Sequence, residues 1–311
     1  MNLKGKKILV TGGHGFIGQY LIKRLILKES KVDVFDISNG LDITNAEQLK
    51  SFVKKKYDII YHLAGFSGSA ESNQEKLKCL NINLLSTVNL FELILKYSPK
   101  TKIILSSSRL EYGPPKYLPI DELHPTEPTS MYGLTKLNST QMAMIYRDQF
   151  NLDVTVMRTS NVYGPHSNKK FAGYNVVNHF INLAKKGKTL TIYGDGKQKR
   201  DYIYIDDFVD VLILATSKKA SGKIYNLGLS KGVVFREMAE LIVKAVGKGS
   251  IKFVKWPEGY EQVETGSYVS DITKIKKDLG FNPKISFEEG ILKTIENENC
   301  FFEKKRDLNL W

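Results

Sequence analysis

The stretch KKILVTGGHGFIGQYLIKRLILKES, residues 6–30, leaves few architectures open. Its short apolar run ends in glycines, as a buried strand does when it meets a tight turn. GQYLIKRLILKE then spaces its apolar residues as a helix does, and KVDVFD returns to strand. A strand, a helix and a second strand in that order make the unit from which parallel sheets are built, and such sheets are covered on both faces.

The alternation continues. Further strands are expected at DIIYHLAG, TKIILSSS and LDVTVMRTS, with helices at NINLLSTVNLFELILKY and GLTKLNSTQMAMIYRDQF between them. Strands alternating with helices predict an α/β fold with a doubly wound parallel sheet. The pattern breaks near Gly164-Pro165. Beyond it come a helix at NVVNHFINLAKKG, strands at TLTIYG and YIYI, and helices at FREMAELIVKAVG, DITKIKKDLG and SFEEGILKTIE. The second half therefore reads as a smaller C-terminal α/β substrate lobe over the mouth of the sheet. The expected boundaries are 1–165 for the sheet domain, with contributions from about 203–230, and 166–311 for most of the lobe.

A chain of 311 residues can bury one large or two interlocked cores. No apolar run approaches the roughly 18 residues that span a bilayer, and MNLKGKKILVTGG is too short and glycine-ended to be a signal peptide. Cys79 and Cys300 lie far apart without metal-ligand spacing, so no metal and a reduced, cytoplasmic compartment are expected. The net charge of +13 comes from scattered lysines, with no basic block interleaved with stacking aromatics. It reads as a solvated surface, so neither nucleic acid nor membrane is expected as a partner.

Within TGGHGFIG, three glycines have separate work. One of Gly12, Gly15 and Gly18 makes the turn, one admits a pyrophosphate to backbone N–H groups, and one lets helix and strand pack closely. Asp36 closes the second strand, where a carboxylate accepts hydrogen bonds from a ribose and repels a 2′-phosphate. With no arginine beside it, NAD is favoured over NADP. The competing reading of Asp36 is a strand-end turn residue. Together these features make the sheet domain Rossmann-type, with His14 filling the loop beside the phosphates.

A nicotinamide enzyme that oxidises an alcohol needs a base. Free tyrosine titrates near 10 and needs electrostatic help to serve at neutral pH. In YGLTK, Lys136 lies one helical turn from Tyr132, where its ammonium can lower the phenol and bond the nicotinamide ribose. SSSRLEYG ends a strand, and Ser108 there can hold the substrate oxygen. We therefore take Ser108, Tyr132 and Lys136 as the catalytic set.

TGGHGFIG, HLAG, SSSRLEYG, YGLTK, RTSNVYGP and RDYIYIDD run in one order over essentially the whole chain. In this the chain resembles the extended short-chain dehydrogenase/reductases of the nucleotide-sugar epimerase/dehydratase group, and HLAGFSGSAES is particularly similar to UDP-galactose 4-epimerases. The resemblance implies an isomerase or oxidoreductase, such as those of polysaccharide biosynthesis, with NAD and a nucleotide-diphosphate sugar. It places Phe16 and Ile17 with the cofactor loop, Asp42 and Ile43 beside adenine, Leu63, Ala64 and Gly65 along the cofactor, and Asn83 in contact with it. Asn161 would meet the substrate diphosphate, and Tyr193, in LTIYG, would lie along the base. Arg200 would pair with the diphosphate, which needs a cation that cannot lose its charge. The competing reading of Arg200 is a surface arginine paired with Asp201.

Three departures bear on the chemistry. Dehydratases of this group place Asp-Glu directly after the catalytic hydroxyl, to remove water across C5 and C6, whereas this chain has Arg109 and Leu110. Relatives often read Arg-x-Gly-Asp where this chain reads ETGS, which puts Glu264 in place of a cation. Ser67 stands where several 4-epimerases use lysine near the cofactor.

The expected activity is 4-epimerisation of a nucleotide sugar through a transient 4-keto sugar. The alternatives are a 4-keto-sugar reductase or sugar 4-dehydrogenase and, more remotely, a non-catalytic NAD-binding regulatory or RNA-binding protein. Relatives pair as homodimers through the helix at NINLLSTVNLFELILKY and the one carrying Tyr132. Leu84, Val88, Phe91 and Leu95 form the stripe expected either to face a partner or to pack on the sheet.

Overall fold

The computed structural model describes residues 2–165, 175–258 and 261–297. Lys7–Thr11 (β1) leads through the glycine loop into Phe16–Leu27 (α1), followed by Lys31–Phe35 (β2). The Asn45 side chain accepts from the backbone N–H groups of Glu47 and Gln48, and so starts Ala46–Val53 (α2). After Ile59–His62 (β3), the short Ser69–Gln74 (α3) and Lys76–Leu80 (α4) run through a wide π turn at Asn81–Leu85 into Ser86–Tyr97 (α5). Lys102–Ser108 (β4), Met131–Phe150 (α6) and Val154–Thr159 (β5) complete the first half. The serine-ended strand and the tyrosine helix are thus adjacent elements of one sheet domain.

The second half contributes Asn161–Tyr163 (β6), Val176–Lys185 (α7), Thr189–Tyr193 (β7), Lys199–Tyr204 (β8) and Ile205–Leu214 (α8). Ile224–Leu227 (β9), Gly232–Val234 (β10), Phe235–Val246 (α9), Ser250–Val254 (β11), Thr273–Leu279 (α10) and Phe287–Asn297 (α11) follow. The central sheet has six strands in the order β2-β1-β3-β4-β5-β9, all paired in parallel. β10-β8-β6 and β11-β7 are separate small sheets.

Alternation along the central strands divides the core in two. Leu9, Ile60, Ile103, Leu105, Val154 and Val156 bury one face with Leu90, Phe91 and Ile94 of α5 and Ala143 and Tyr146 of α6. Ile8, Val10, Ile59, Tyr61, Ile104 and Met157 bury the other with α1 and α8, and that core continues into the lobe through Phe180, Ile192 and Met238. With both faces covered, the strands read as nearly unbroken apolar runs. The order places β1 next to β3 and sends β2 outward, so the chain reverses direction beside β1, where open α/β sheets take ligands.

One expectation needs correction. The helical run Lys76–Tyr97, 22 residues long, is long and apolar enough to cross a bilayer by length and composition, which the sequence reading had excluded. Its Leu90, Phe91 and Ile94 are instead fully buried against the sheet. Phe91 therefore belongs to the core, while Leu84, Val88 and Leu95 are only partly buried. Of Cys79 and Cys300, Cys79 is buried with a free thiol, and Cys300 lies outside the described residues.

Candidate active site

The glycine loop is shaped by what its residues lack. Gly12 takes φ +69°, and a Cβ there would meet the Ala64 backbone N at 2.7 Å. A Cβ on Gly18 would lie 2.5 Å from the carbonyl oxygens of both Gly12 and Gly13. Gly15 precedes α1, and no side chain caps its N–H groups, so the positive end of the helix dipole is open where Phe16 and Ile17 begin it. That cradle fits a pyrophosphate.

Asp36 is buried at the end of β2. One of its oxygens accepts from the His14 backbone N–H at 3.0 Å, and the other accepts from the Ser38 N–H at 2.9 Å and hydroxyl at 2.8 Å. His14 also shares a 2.6 Å hydrogen bond between its Nδ1 and the Ser38 hydroxyl, so it ties the loop to the β2 end rather than merely filling it. The Asp36 carboxylate is fixed for recognition at its remaining lone pairs. Asp42 accepts from the Thr44 N–H at 2.9 Å, and next to it Ile43 is buried in the core.

At the end of β3, Leu63 donates its N–H to the Thr11 carbonyl and Ala64 donates to the Thr11 hydroxyl, each at 3.2 Å. Asn83, in the π turn, accepts from the Phe66 N–H at 2.8 Å and returns a bond to the Phe66 carbonyl at 3.0 Å. It also donates to the Thr135 hydroxyl at 3.1 Å. Asn83 thereby clamps the Leu63–Phe66 segment, with Gly65 inside it, to α6.

Ser108, Tyr132 and Lys136 come together at the end of β4 and the start of α6. Ser130 caps α6 by accepting from the Gly133 N–H at 3.1 Å. Two side chains that the sequence reading passed over finish that helix end: Ser72 accepts from the Tyr132 N–H and Asn73 from the Met131 N–H, each at 2.9 Å. Their signal was weak, because SAESNQ reads as a polar loop. The Ser108 hydroxyl accepts from the Leu110 N–H at 3.2 Å and lies close enough to the Tyr132 phenol to pull the phenol's pKa down. Lys136 donates to the Ser106 carbonyl at 3.0 Å, and its Nζ lies 5.9 Å from the centre of the Tyr132 ring.

The electrostatics correct one expectation. Burial pushes the Tyr132 phenol up to about 12, outweighing the Ser108 hydroxyl and the Arg109 charge, which pull it down. Burial also lowers Lys136 to about 8, against the opposite pull of Glu111 and Cys79. Desolvation therefore wins at both groups, and the ammonium does not by itself make the phenol acidic.

Behind Ser108 lies a buried polar network that no motif announced. The Glu111 carboxylate accepts from Ser107, from Thr140 at 2.7 Å and from the Arg158 Nε at 2.8 Å. Arg158 donates onward to the Tyr112 phenol at 2.8 Å, and Tyr112 donates to Asn226 at 2.6 Å. Burial works against the Arg158 charge, but Glu111 and Tyr112 outweigh it and hold the guanidinium above its usual value. The network joins β4, α6, β5 and β9 behind Ser108.

Besides Ser108, the residues expected at the substrate lie on strands of the two small sheets. Asn161 donates to the Asp201 carbonyl at 2.8 Å and so bridges β6 to β8. Tyr193 ends β7 with its ring 5.5 Å from that of Trp256. Arg200 is buried and paired with Glu264, at 2.5 and 2.7 Å, and not with Asp201. Asp201 is itself buried among the N–H groups of Leu229, Ser230 and Ser270. Burial raises its carboxyl to about 6.

The model of the NAD dependent epimerase/dehydratase family matches residues 8–228, from β1 to just past β9. The chain belongs to that family. It is an NAD-dependent enzyme, and the open glycine loop and the Asp36 carboxylate have the shape and chemistry that a dinucleotide requires, while the Asn83 amide is spent on Phe66 and Thr135. A UDP-glucose 4-epimerase from Thermotoga maritima, solved with UDP-glucose, superposes with a TM-score of 0.86 at 29% identity, over 96% of this chain and 99% of its own. A UDP-glucose 4-epimerase from Thermus thermophilus, solved with NAD, gives 0.84 at 26% identity over 94% and 99%. A UDP-N-acetyl-alpha-D-glucosaminuronate decarboxylase from Bacillus cytotoxicus is 29% identical over 94% of this chain and 97% of its own.

Proposed function

We propose that this chain is a nucleotide-sugar 4-epimerase that works through a transient 4-keto sugar. The observation that carries the reading is what surrounds Ser108. Its hydroxyl lies close enough to the Tyr132 phenol to pull the phenol's pKa down, and the next two side chains, Arg109 and Leu110, cannot act as the acid and base that dehydration across C5 and C6 requires. The likeness to a UDP-glucose 4-epimerase supports a nucleotide-sugar substrate.

When bound, NAD supplies the hydride acceptor and donor. Ser108 holds the oxygen on C4, and Tyr132 takes the hydroxyl proton and later returns it. The Lys136 ammonium supports the phenolate across 5.9 Å to the ring centre. A phenol near 12 is a ready proton donor for the return to alcohol, and the forward half requires added positive charge to draw it down. The 4-keto sugar turns over within the pocket between the halves.

Incubation with UDP-, GDP-, CDP- and dTDP-sugars, following epimer ratio and NADH absorbance together, tests this. Interconversion of two C4 epimers without net cofactor consumption is expected. Stoichiometric use of NADH or NAD would replace the reading with a 4-keto-sugar reductase or a 4-dehydrogenase.

The same reading includes a homodimer through α5 and α6. Leu85, which ends the π turn before α5, and Leu134 and Ile145 of α6 are 48%, 40% and 50% exposed, apolar side chains that a second copy would cover. A sedimentation measurement returning one chain per particle would overturn it.

A further inference from the structure

Arg200 has little left to offer a ligand. Its Nη2 donates to both oxygens of Glu264, at 2.5 and 2.7 Å, and its Nη1 donates to the Gly266 carbonyl at 2.6 Å and the Lys199 carbonyl at 3.2 Å. A guanidinium carries five N–H donors, so only Nε–H remains. Its charge is matched by a carboxylate in a bidentate pair. In this chain Arg200 holds the segment around Glu264 against β8.

Arg109 presents the opposite picture. It donates once, to the Thr265 hydroxyl at 3.2 Å, and its guanidinium carbon lies 5.4 Å from the centre of the Tyr268 ring. Among the described residues no carboxylate lies within ion-pair distance of it. It follows Ser108 in the chain, its charge reaches the Tyr132 phenol, and it also faces Arg200 and Glu264. It therefore stands between the group that works on C4 and the charged pair in the lobe. A partly buried guanidinium without a counter-ion is unfavourable unless a ligand brings one.

We propose that Arg109, and not Arg200, is the guanidinium that binds an oxyanion of the nucleotide sugar. This rests on the nucleotide-sugar reading above. The oxyanion is either the pyrophosphate or a carboxylate on the hexose, and in both cases four unused N–H donors meet acceptor oxygens. Glu264, where relatives often carry a cation, neutralises Arg200, and Arg109 restores the lost positive charge from the turn after β4.

Calorimetric titration of the NAD-loaded protein with UDP, UDP-glucose and UDP-glucuronate tests this, with the dTDP, GDP or CDP equivalents used if the wild type prefers another base. Arg109→Gln is expected to weaken binding roughly ten- to a hundredfold, and Arg200→Gln no more than roughly threefold. Equal loss across all three probes assigns the pyrophosphate, and loss confined to UDP-glucuronate assigns the carboxylate. Unchanged NAD affinity in Arg109→Gln shows that the loss is not one of folding. Glu264→Gln leaves the Arg200 charge unopposed and is expected to tighten binding several-fold. The idea is overturned if Arg200→Gln gives the large loss while Arg109→Gln stays within roughly twofold, or if Glu264→Gln weakens binding. A wild type that binds no nucleoside diphosphate would refute the nucleotide-sugar reading itself, and this inference with it.

Discussion

Between Gly12 and Gly18 the backbone approaches itself because side chains are absent, whereas around Arg200 the lobe is held by opposite charges in a bidentate pair. The cofactor edge continues in the first manner: Asn83, Thr11 and His62 make hydrogen bonds without opposing charges among them. The side facing the substrate continues in the second, with Glu111 on Arg158 and Asp201 among four donors from Leu229, Ser230 and Ser270. A site built by steric exclusion should respond to one added methyl group and little to salt. A site built from buried charges should respond to the loss of one partner, because the other is stranded.

Tyr132 stands where the two regions meet, and its loss should be the largest single effect. Tyr132→Phe removes the proton carrier while leaving the ring and its contacts, so kcat should fall by roughly 10²–10⁴ with the melting temperature nearly unchanged. Steady-state assay beside a thermal melt checks this. Activity within tenfold of wild type would assign the proton transfer to another group. Next comes the charge side. Glu111→Gln keeps the volume but strands Arg158 in a fully buried setting, so urea unfolding should show a loss of roughly 3–5 kcal/mol. A loss below about 1 kcal/mol would mean that the pair is solvated and that the contrast between the two regions is false.

The same contrast explains what could be read from the chain alone. The glycine loop, the serine strand and the Tyr132 helix were legible because each is local: strand, turn and helix follow one another within a short stretch of sequence. Arg200's partner was not, since Glu264 lies 64 positions away and nothing in ETGS announces a pair. Glu111 and Arg158, 47 positions apart, were invisible for the same reason. Among the elements, β9, Ile224–Leu227, was missed as a strand, and only its parallel pairing beside β5 gives it a role. α8 was missed because IDDFVDVLIL is mostly buried, leaving only Asp206 and Asp210, which pair with Arg24, to mark a polar face.

On the cofactor side, a single carbon should matter. Gly18→Ala would place a Cβ 2.5 Å from two backbone carbonyl oxygens, so the loop or α1 must shift. Strain of this kind costs about 1–3 kcal/mol and should appear chiefly as weaker NAD binding, roughly tenfold or more by fluorescence titration. An unchanged NAD affinity would show that the loop yields freely and that close packing is not what shapes it.

The smallest effect separates the regions by pH. His62 is buried at the end of β3, with Nδ1 2.8 Å from the Thr11 hydroxyl and Nε2 3.1 Å from the Thr87 hydroxyl. Burial, helped by the Lys136 charge, lowers its imidazole to about 3. In the unfolded chain the same group titrates near 6.5, so between those values the unfolded state binds the extra proton. Stability from this residue is therefore complete above about 6.5 and is lost as the pH falls toward 3, by up to about 1.4 kcal/mol per pH unit. Asp201 pulls the other way: its carboxyl, raised to about 6, favours the folded state at low pH and loses that advantage as the pH rises from about 3.9, the ordinary carboxyl value, through 6. The difference between wild type and His62→Gln isolates the imidazole from that opposing slope. Urea unfolding at pH 6.5, 5.5 and 4.5 should show the variant losing less stability with acid than the wild type. Parallel curves would put the acid sensitivity in the charged lobe, and the uncharged hydrogen bonds of the cofactor edge would then carry none of it.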